Sequence, residues 1–205
     1  MKQLSLCFSL FFLVFFSIGQ GDFRFSNFTI SNGLSQSYVT CILQDNTAAL
    51  WIGTQDGLNR FDGKNFEIYS SDDTPGIANS FIKCSAKTKN GNLWFGTASG
   101  LLLFEPNKEK FTTFQVKNSV LLQIESITKD GNDNLWLGIS GYGVVQFNSI
   151  TKTFSKPLTN LPTKKVQLIS YIDNFKLLIQ TEDKGLFVYH LKTGKIDAIK
   201  FENRN

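Results

Sequence analysis

Acyl-transfer relays, Cys/His pairs and histidine-rich metal centres all need an imidazole held against a partner. This sequence has one, His190, placed after Tyr189 in the run "GLFVYH". No CxxC or HxxxH pair supplies metal-ligand spacing. Gly141, Tyr142 and Gly143 make no phosphate loop, because they lie in a hairpin after a strand-like run and open no helix. The 17 Asp and Glu residues could act in pairs, as in a glycosidase, but their spatial separation is not written in the sequence. The expectation is therefore a binding protein: no catalytic residue, no metal ligand and no cofactor.

Residues suited to holding a ligand recur with a period. Trp51, Trp94 and Trp136 are 43 and 42 residues apart, and a further 42 leads to Leu178. The four phrases read "LWIGTQDGLNRF", "LWFGTASGLLLF", "LWLGISGYGVVQF" and "LLIQTEDKGLFVY". Each begins at a leucine (Leu50, Leu93, Leu135, Leu177) and ends on Phe61, Phe104, Phe147 or Tyr189. Polar and aromatic groups sit in the middle of each phrase: Gln55 and Asp56, Ser99, Tyr142, then Glu182 and Asp183. Such groups suit a carbohydrate, which offers hydroxyls for hydrogen bonds and a ring face for stacking. A second polar row, Thr40, Lys83, Glu125 and Gln167, stands eleven residues before each tryptophan or its replacement. It is a candidate lining for a central channel.

The elements that must position these residues are short strands. "YVTCILQD", "LWIGT", "GLNRF" and "NFEIYS" give four in the first unit, and Asp-Gly and Asn-Gly pairs supply the tight turns. Four antiparallel strands in about 42 residues is the dimension of a propeller blade. Helical solenoids of similar period need a 3.6-residue apolar stripe, which no stretch carries. The expected fold is all-β: a β-propeller portion of about four blades over units 38–70, 81–115, 122–158 and 166–201. Trp51, Trp94 and Trp136 are expected to pack between blades, with Gly53, Gly96 and Gly138 leaving room for a close neighbouring backbone. Cys41 and Cys84, ten residues before their tryptophans, read either as small buried residues or as a disulfide between adjacent blades.

These motifs resemble the two-component regulator propeller repeat, found in the exported sensor region of hybrid histidine kinases. "NGLSQSYV", "LQD", "LWIGTQDGLNRFDG" and "NFEIY" match that family's first unit phrase by phrase. "NSFIKCSAKTKNGNLWFGTASGLLLFEP" follows it well, the third unit has Ile139 for the usual Thr, and the fourth has Leu178 for Trp and Gln180 for Gly. The resemblance covers about Phe23 to Phe201. It implies seven-bladed propellers joined to a membrane helix and a kinase core, none of which follows in these 205 residues. A surplus outer-type strand, "FRFSNFTI" (Phe23 to Ile30), suggests that a last blade is missing and that the chain is a piece of a longer sensor. The implied role is extracytoplasmic sensing of an oligosaccharide or other small ligand, with the remaining blades and a second copy (a homodimer) as partners. A propeller lyase or glycosidase and a non-signalling scaffold are the alternatives.

Residues 1–19 have one charge, Lys2, before a phenylalanine-rich run from Leu4 to Ile18. That run is short for a spanning helix, and Ser17 and Gly19 suit a cleavable signal peptide; an uncleaved anchor is the competing reading. The expected location is periplasmic or otherwise exported. The net charge is +4 without a run of Lys or Arg, which argues against nucleic acid.

Overall fold

The computed structural model describes residues 25–115, 122–173 and 175–200. Sixteen strands form four antiparallel sheets, each ordered as the chain runs. The first sheet holds β1 (Val39–Gln44), β2 (Leu50–Thr54), β3 (Leu58–Phe61) and β4 (Phe66–Tyr69). The second holds β5 (Ile82–Lys87), β6 (Leu93–Thr97), β7 (Gly100–Glu105) and β8 (Lys110–Phe114). The third holds β9 (Ile124–Lys129), β10 (Leu135–Ile139), β11 (Gly143–Asn148) and β12 (Thr153–Phe154). The fourth holds β13 (Val166–Tyr171), β14 (Lys176–Thr181), β15 (Leu186–His190) and β16 (Ile196–Ala198). Two short 3-10 turns, Ile30–Asn32 and Pro106–Lys108, are the helical elements among the described residues. No described helix is long and apolar enough to cross a membrane.

The innermost strands of consecutive sheets touch: β1 with β5, β5 with β9, and β9 with β13. No comparable contact joins β1 to β13 among the described residues. The sheets are therefore blades set side by side in an arc, the radial arrangement of a β-propeller. The apolar core consists of three clusters between adjacent blades, centred on Trp51, Trp94 and Trp136. Strands β6 and β10 are buried at every position, because both faces of the two middle sheets are covered. This is why "LWFGT" and "LWLGI" read as continuous apolar runs rather than alternating ones.

The local chemistry of each blade repeats. Asp45, six residues before Trp51, accepts the Trp51 indole N–H at 2.9 Å and the backbone N–H groups of Thr47 and Ala49. Asp130 does the same for Trp136, at 3.3 Å, and for Asn132 and Asn134. The Thr88 hydroxyl receives the Trp94 indole N–H at 3.3 Å. In the fourth blade both partners are gone together, Ile172 standing for the acceptor and Leu178 for the indole. After the second strand, the hydroxyls of Thr54, Thr97 and Thr181 each donate to the carbonyl of Gly57, Gly100 or Gly185 at 2.9 Å. Those glycines have φ of +142°, +146° and +88°, a backbone region that side chains disfavour.

One expectation changes here and one open alternative is decided. The described part of "FRFSNFTI", Phe25–Thr29, forms no strand. A strand needs a ladder partner, and each described sheet ends after four strands; Phe28 instead packs its ring on Phe61 and Phe66 at 5.0 and 5.6 Å. Of the two readings of Cys41 and Cys84, the packed one holds: both are free thiols. The signal peptide expected at 1–19 lies outside the described residues.

Candidate functional site

Trp51 and Trp94 are fully buried and Trp136 nearly so. The Trp51 ring stacks on Tyr69 of its own blade at 5.6 Å and meets Phe104 of the next at 4.6 Å. Trp94 meets Phe147 of the next blade at 5.3 Å. What the glycines admit is side chain rather than backbone. A Cβ on Gly53 would lie 2.7 Å from both Cys41 Sγ and Ile82 Cγ2. On Gly96 it would meet Cys84 Sγ and, at 2.7 Å, Ile124 Cγ2; on Gly138 it would meet Val166 Cγ1 at 2.9 Å. Each glycine is thus a socket for the β-branched residue that opens the next blade. At Gln180 no described sheet follows, and the position is exposed.

The residue after that β-branched one is the polar row. In every blade the register of the first strand slips at this point: between Val39 and Cys41, Ile82 and Cys84, Ile124 and Ser126, and Val166 and Leu168. Thr40, Lys83, Glu125 and Gln167 are the extra residues of four β-bulges, which turn a side chain out of the ladder. The Thr40 hydroxyl donates to the Ile82 carbonyl at 2.7 Å, and Lys83 pairs with Glu125 at 2.6 Å. The row therefore ties β1 to β5 and β5 to β9. Sequence reading found the row but not the bulge; its signal is the pattern of β-branched, polar and then small residue in three of the four units.

Burial pushes the Cys41 thiol up, against hydrogen bonds from Ser85 and Thr40, and pushes the Cys84 thiol up as well. Both are placed as neutral packing groups, not nucleophiles. His190 ends β15, and its Nε2 lies 2.9 Å from Asp197 Oδ2. A hydrogen bond from Lys195, and then the one from His190, hold the Asp197 carboxyl below its ordinary value. Among the described residues, no group of three or more His, Cys, Asp or Glu has metal-holding geometry.

The six candidate ligand residues all fall in the turns between second and third strands, at one end of the four sheets. Gln55, Asp56, Glu182 and Asp183 are exposed, Tyr142 is half-buried and Ser99 is buried. Tyr142 packs against the apolar cluster around Trp94. No hydrogen bond or ion pair joins any two of the six among the described residues, so they form a rim, one station per blade, and not a converging pocket. The Ser99 hydroxyl and Gln36 Oε1 are buried without a hydrogen-bond partner among the described residues. Gln36 belongs to the same end, since its neighbour Ser35 bonds Thr54 and Asn59 at 2.8 Å.

Radial four-stranded blades, tryptophan wedges and glycine sockets define a β-propeller. A family model described as "Two component regulator propeller" matches residues 76–99, the stretch that runs from before β5 to the turn after β6. Residues 76–99 thus match a repeat of that regulator-propeller type. It is 56% identical over 48 residues to a protein named histidine kinase P4 from Formosa agariphila, covering 23% of this chain and 4% of that protein. Among solved structures it is similar to the extracellular domain of a protein described as a hybrid two component system from B. thetaiotaomicron. That match has a TM-score of 0.76 and 23% identity, over 85% of this chain and 26% of that one. It is also similar to virginiamycin B lyase from Staphylococcus aureus, with a TM-score of 0.67 and 14% identity over 90% of this chain and 62% of that one. At these identities the structural likenesses show the fold alone, and the chain spans a small part of the kinase and about a quarter of the extracellular domain.

Proposed function

We propose that the chain is part of the exported, ligand-sensing propeller of a hybrid two-component sensor. The observation that carries this reading is the 56% identity over 48 residues with histidine kinase P4. The regulator-propeller match at residues 76–99 supports it. In this reading the rim of second-to-third-strand turns meets a small, hydroxyl-rich ligand such as an oligosaccharide, held by many modest contacts. Binding can change signalling only through unequal affinity for two arrangements of the parent protein. The chain itself is read as non-enzymatic.

Two measurements test this. The DNA downstream of Asn205 should continue in frame through further blades, a membrane helix and a kinase core; a long continuation without helix or kinase would overturn the sensor reading. Calorimetry of the chain against a panel of oligosaccharides should give binding that Asp56→Ala and Tyr142→Ala weaken by about threefold to tenfold each, the scale of one or two hydrogen bonds. Cleavage of any panel member would favour a lyase or glycosidase instead.

A further inference from the structure

At the other end of the blades, away from the rim, the first and second blades leave a cleft of about 420 Å³. Its walls are Tyr69, Phe104 and Phe111, and its charged groups are Asp45, Arg60, Glu67 and Glu109. Three carboxylates face one guanidinium, and that guanidinium is only loosely paired, Arg60 Nη1 lying 3.9 Å from Glu67 Oε2.

The next pair of blades shows what belongs in such a place. There the ammonium of Lys152 lies over the Trp94 ring, 4.4 Å from its centroid. Lys152 and Glu109 are equivalent residues. Each sits in the turn before the fourth strand, two positions ahead of the aromatic Phe154 or Phe111, with a left-handed φ of 59° or 47°. The other positions change in concert. Arg60 is paired in register with Trp51 as Leu103 is with Trp94, and Glu67 lies opposite Arg60 as Thr112 lies opposite Leu103. Tyr69 replaces Phe114, and Asp45 replaces Thr88 as the indole's acceptor. One cleft, walled by Trp94, takes the chain's own lysine, with Glu105 near enough to favour its charge; the other is open, with a carboxylate at the lysine's station. Burial and then the Glu67 carboxylate push the Tyr69 phenol up, so it remains a hydrogen-bond donor.

We infer that the cleft between the first two blades binds an alkylammonium group from outside the chain, its methylene stem against Phe104, Phe111 and Tyr69 and its cation among Glu109, Glu67 and Asp45. This site is independent of the rim proposed above. Carboxylates around a partly enclosed cation are favourable where the cation's stem can be buried at the same time.

The test uses the whole chain and isothermal calorimetry at low salt with 1,5-diaminopentane, Nα-acetyl-lysine amide and the uncharged 1,5-pentanediol. The diamine or the lysine amide should bind and the diol should not; diamine alone marks a free polyamine as the source, and lysine amide a protein side chain. Glu109→Lys, which installs the arrangement of the next cleft, should weaken the ammonium probe by at least about tenfold, and Glu109→Gln by about threefold. Circular dichroism should remain that of the parent, and Glu109→Gln, which adds no bulk, keeps the test decisive if Glu109→Lys misfolds. Equal heats for diamine, lysine amide and diol, or full affinity in both folded variants, would overturn the site while leaving the rim reading untouched.

Discussion

Asp45 illustrates how one side chain organises a blade. Burial raises its carboxyl, but hydrogen bonds from the Trp51 indole, the Thr47 hydroxyl and the Thr47 and Ala49 N–H groups outweigh that and hold it below its ordinary value. A carboxylate depressed in the folded state contributes stability that is complete above its unfolded pKa, about 3.9, and is lost as pH falls through the folded value. Urea midpoints of the native chain should therefore fall steeply below about pH 4. Asp45→Asn keeps the shape but loses the charge on the acceptor. It should lower stability by about 1 kcal/mol at pH 7 and by less at pH 3, so the two curves converge. Parallel curves would mean that the carboxylate's charge is irrelevant.

Between elements, the glycine sockets make the sharpest claim. Gly96 faces Cys84 of its own sheet and Ile124 of the next, and these blades must approach closely for Ile124 to be buried to 1% exposure. Gly96→Ala should cost about 1–3 kcal/mol, the usual range for over-packing a filled core. Cys84→Ala in the same chain removes the sulfur from the new methyl and should restore part of that loss, while the Ile124 contact remains. Gly138→Ala should cost less, because there only Val166 comes within 3.4 Å. Denaturant midpoints of the three variants and the double mutant measure both the order and the coupling. Additive losses for Gly96→Ala and Cys84→Ala would show that they do not share a contact.

For the whole molecule, stability is distributed by neighbours. Blades that each touch only the adjacent ones behave as a one-dimensional array, in which the ends have fewer supporting interfaces than the middle. The middle strands β6 and β10 are buried throughout, while β14 exposes Gln180 and lacks an indole. Native-state hydrogen exchange should be slowest at Leu93–Thr97 and Leu135–Ile139 and faster across β14 and β16. Equal protection in all four sheets would indicate a single cooperative unit instead of an array.

Much of this was legible in the residues alone. The Asx and Thr turns arise from contacts within a few residues, and the tryptophans and apolar second strands recur along the chain, so sequence pattern reveals them. That is also why the loss of Trp at position 178 and of the acceptor at 172 can be read as one event. Other features required the blades to be placed radially. The Lys83–Glu125 bridge and the free state of Cys41 and Cys84 depend on partners about 42 residues away, and the bulges at Thr40, Lys83, Glu125 and Gln167 on the register that two strands of one blade adopt. The cleft before Glu109 and the lysine that fills its counterpart depend on the radial placement too. Strand spacing along the chain sets what each blade is made of; only the approach of two sheets decides which side chains meet between them, because that distance is set by packing and not by sequence separation.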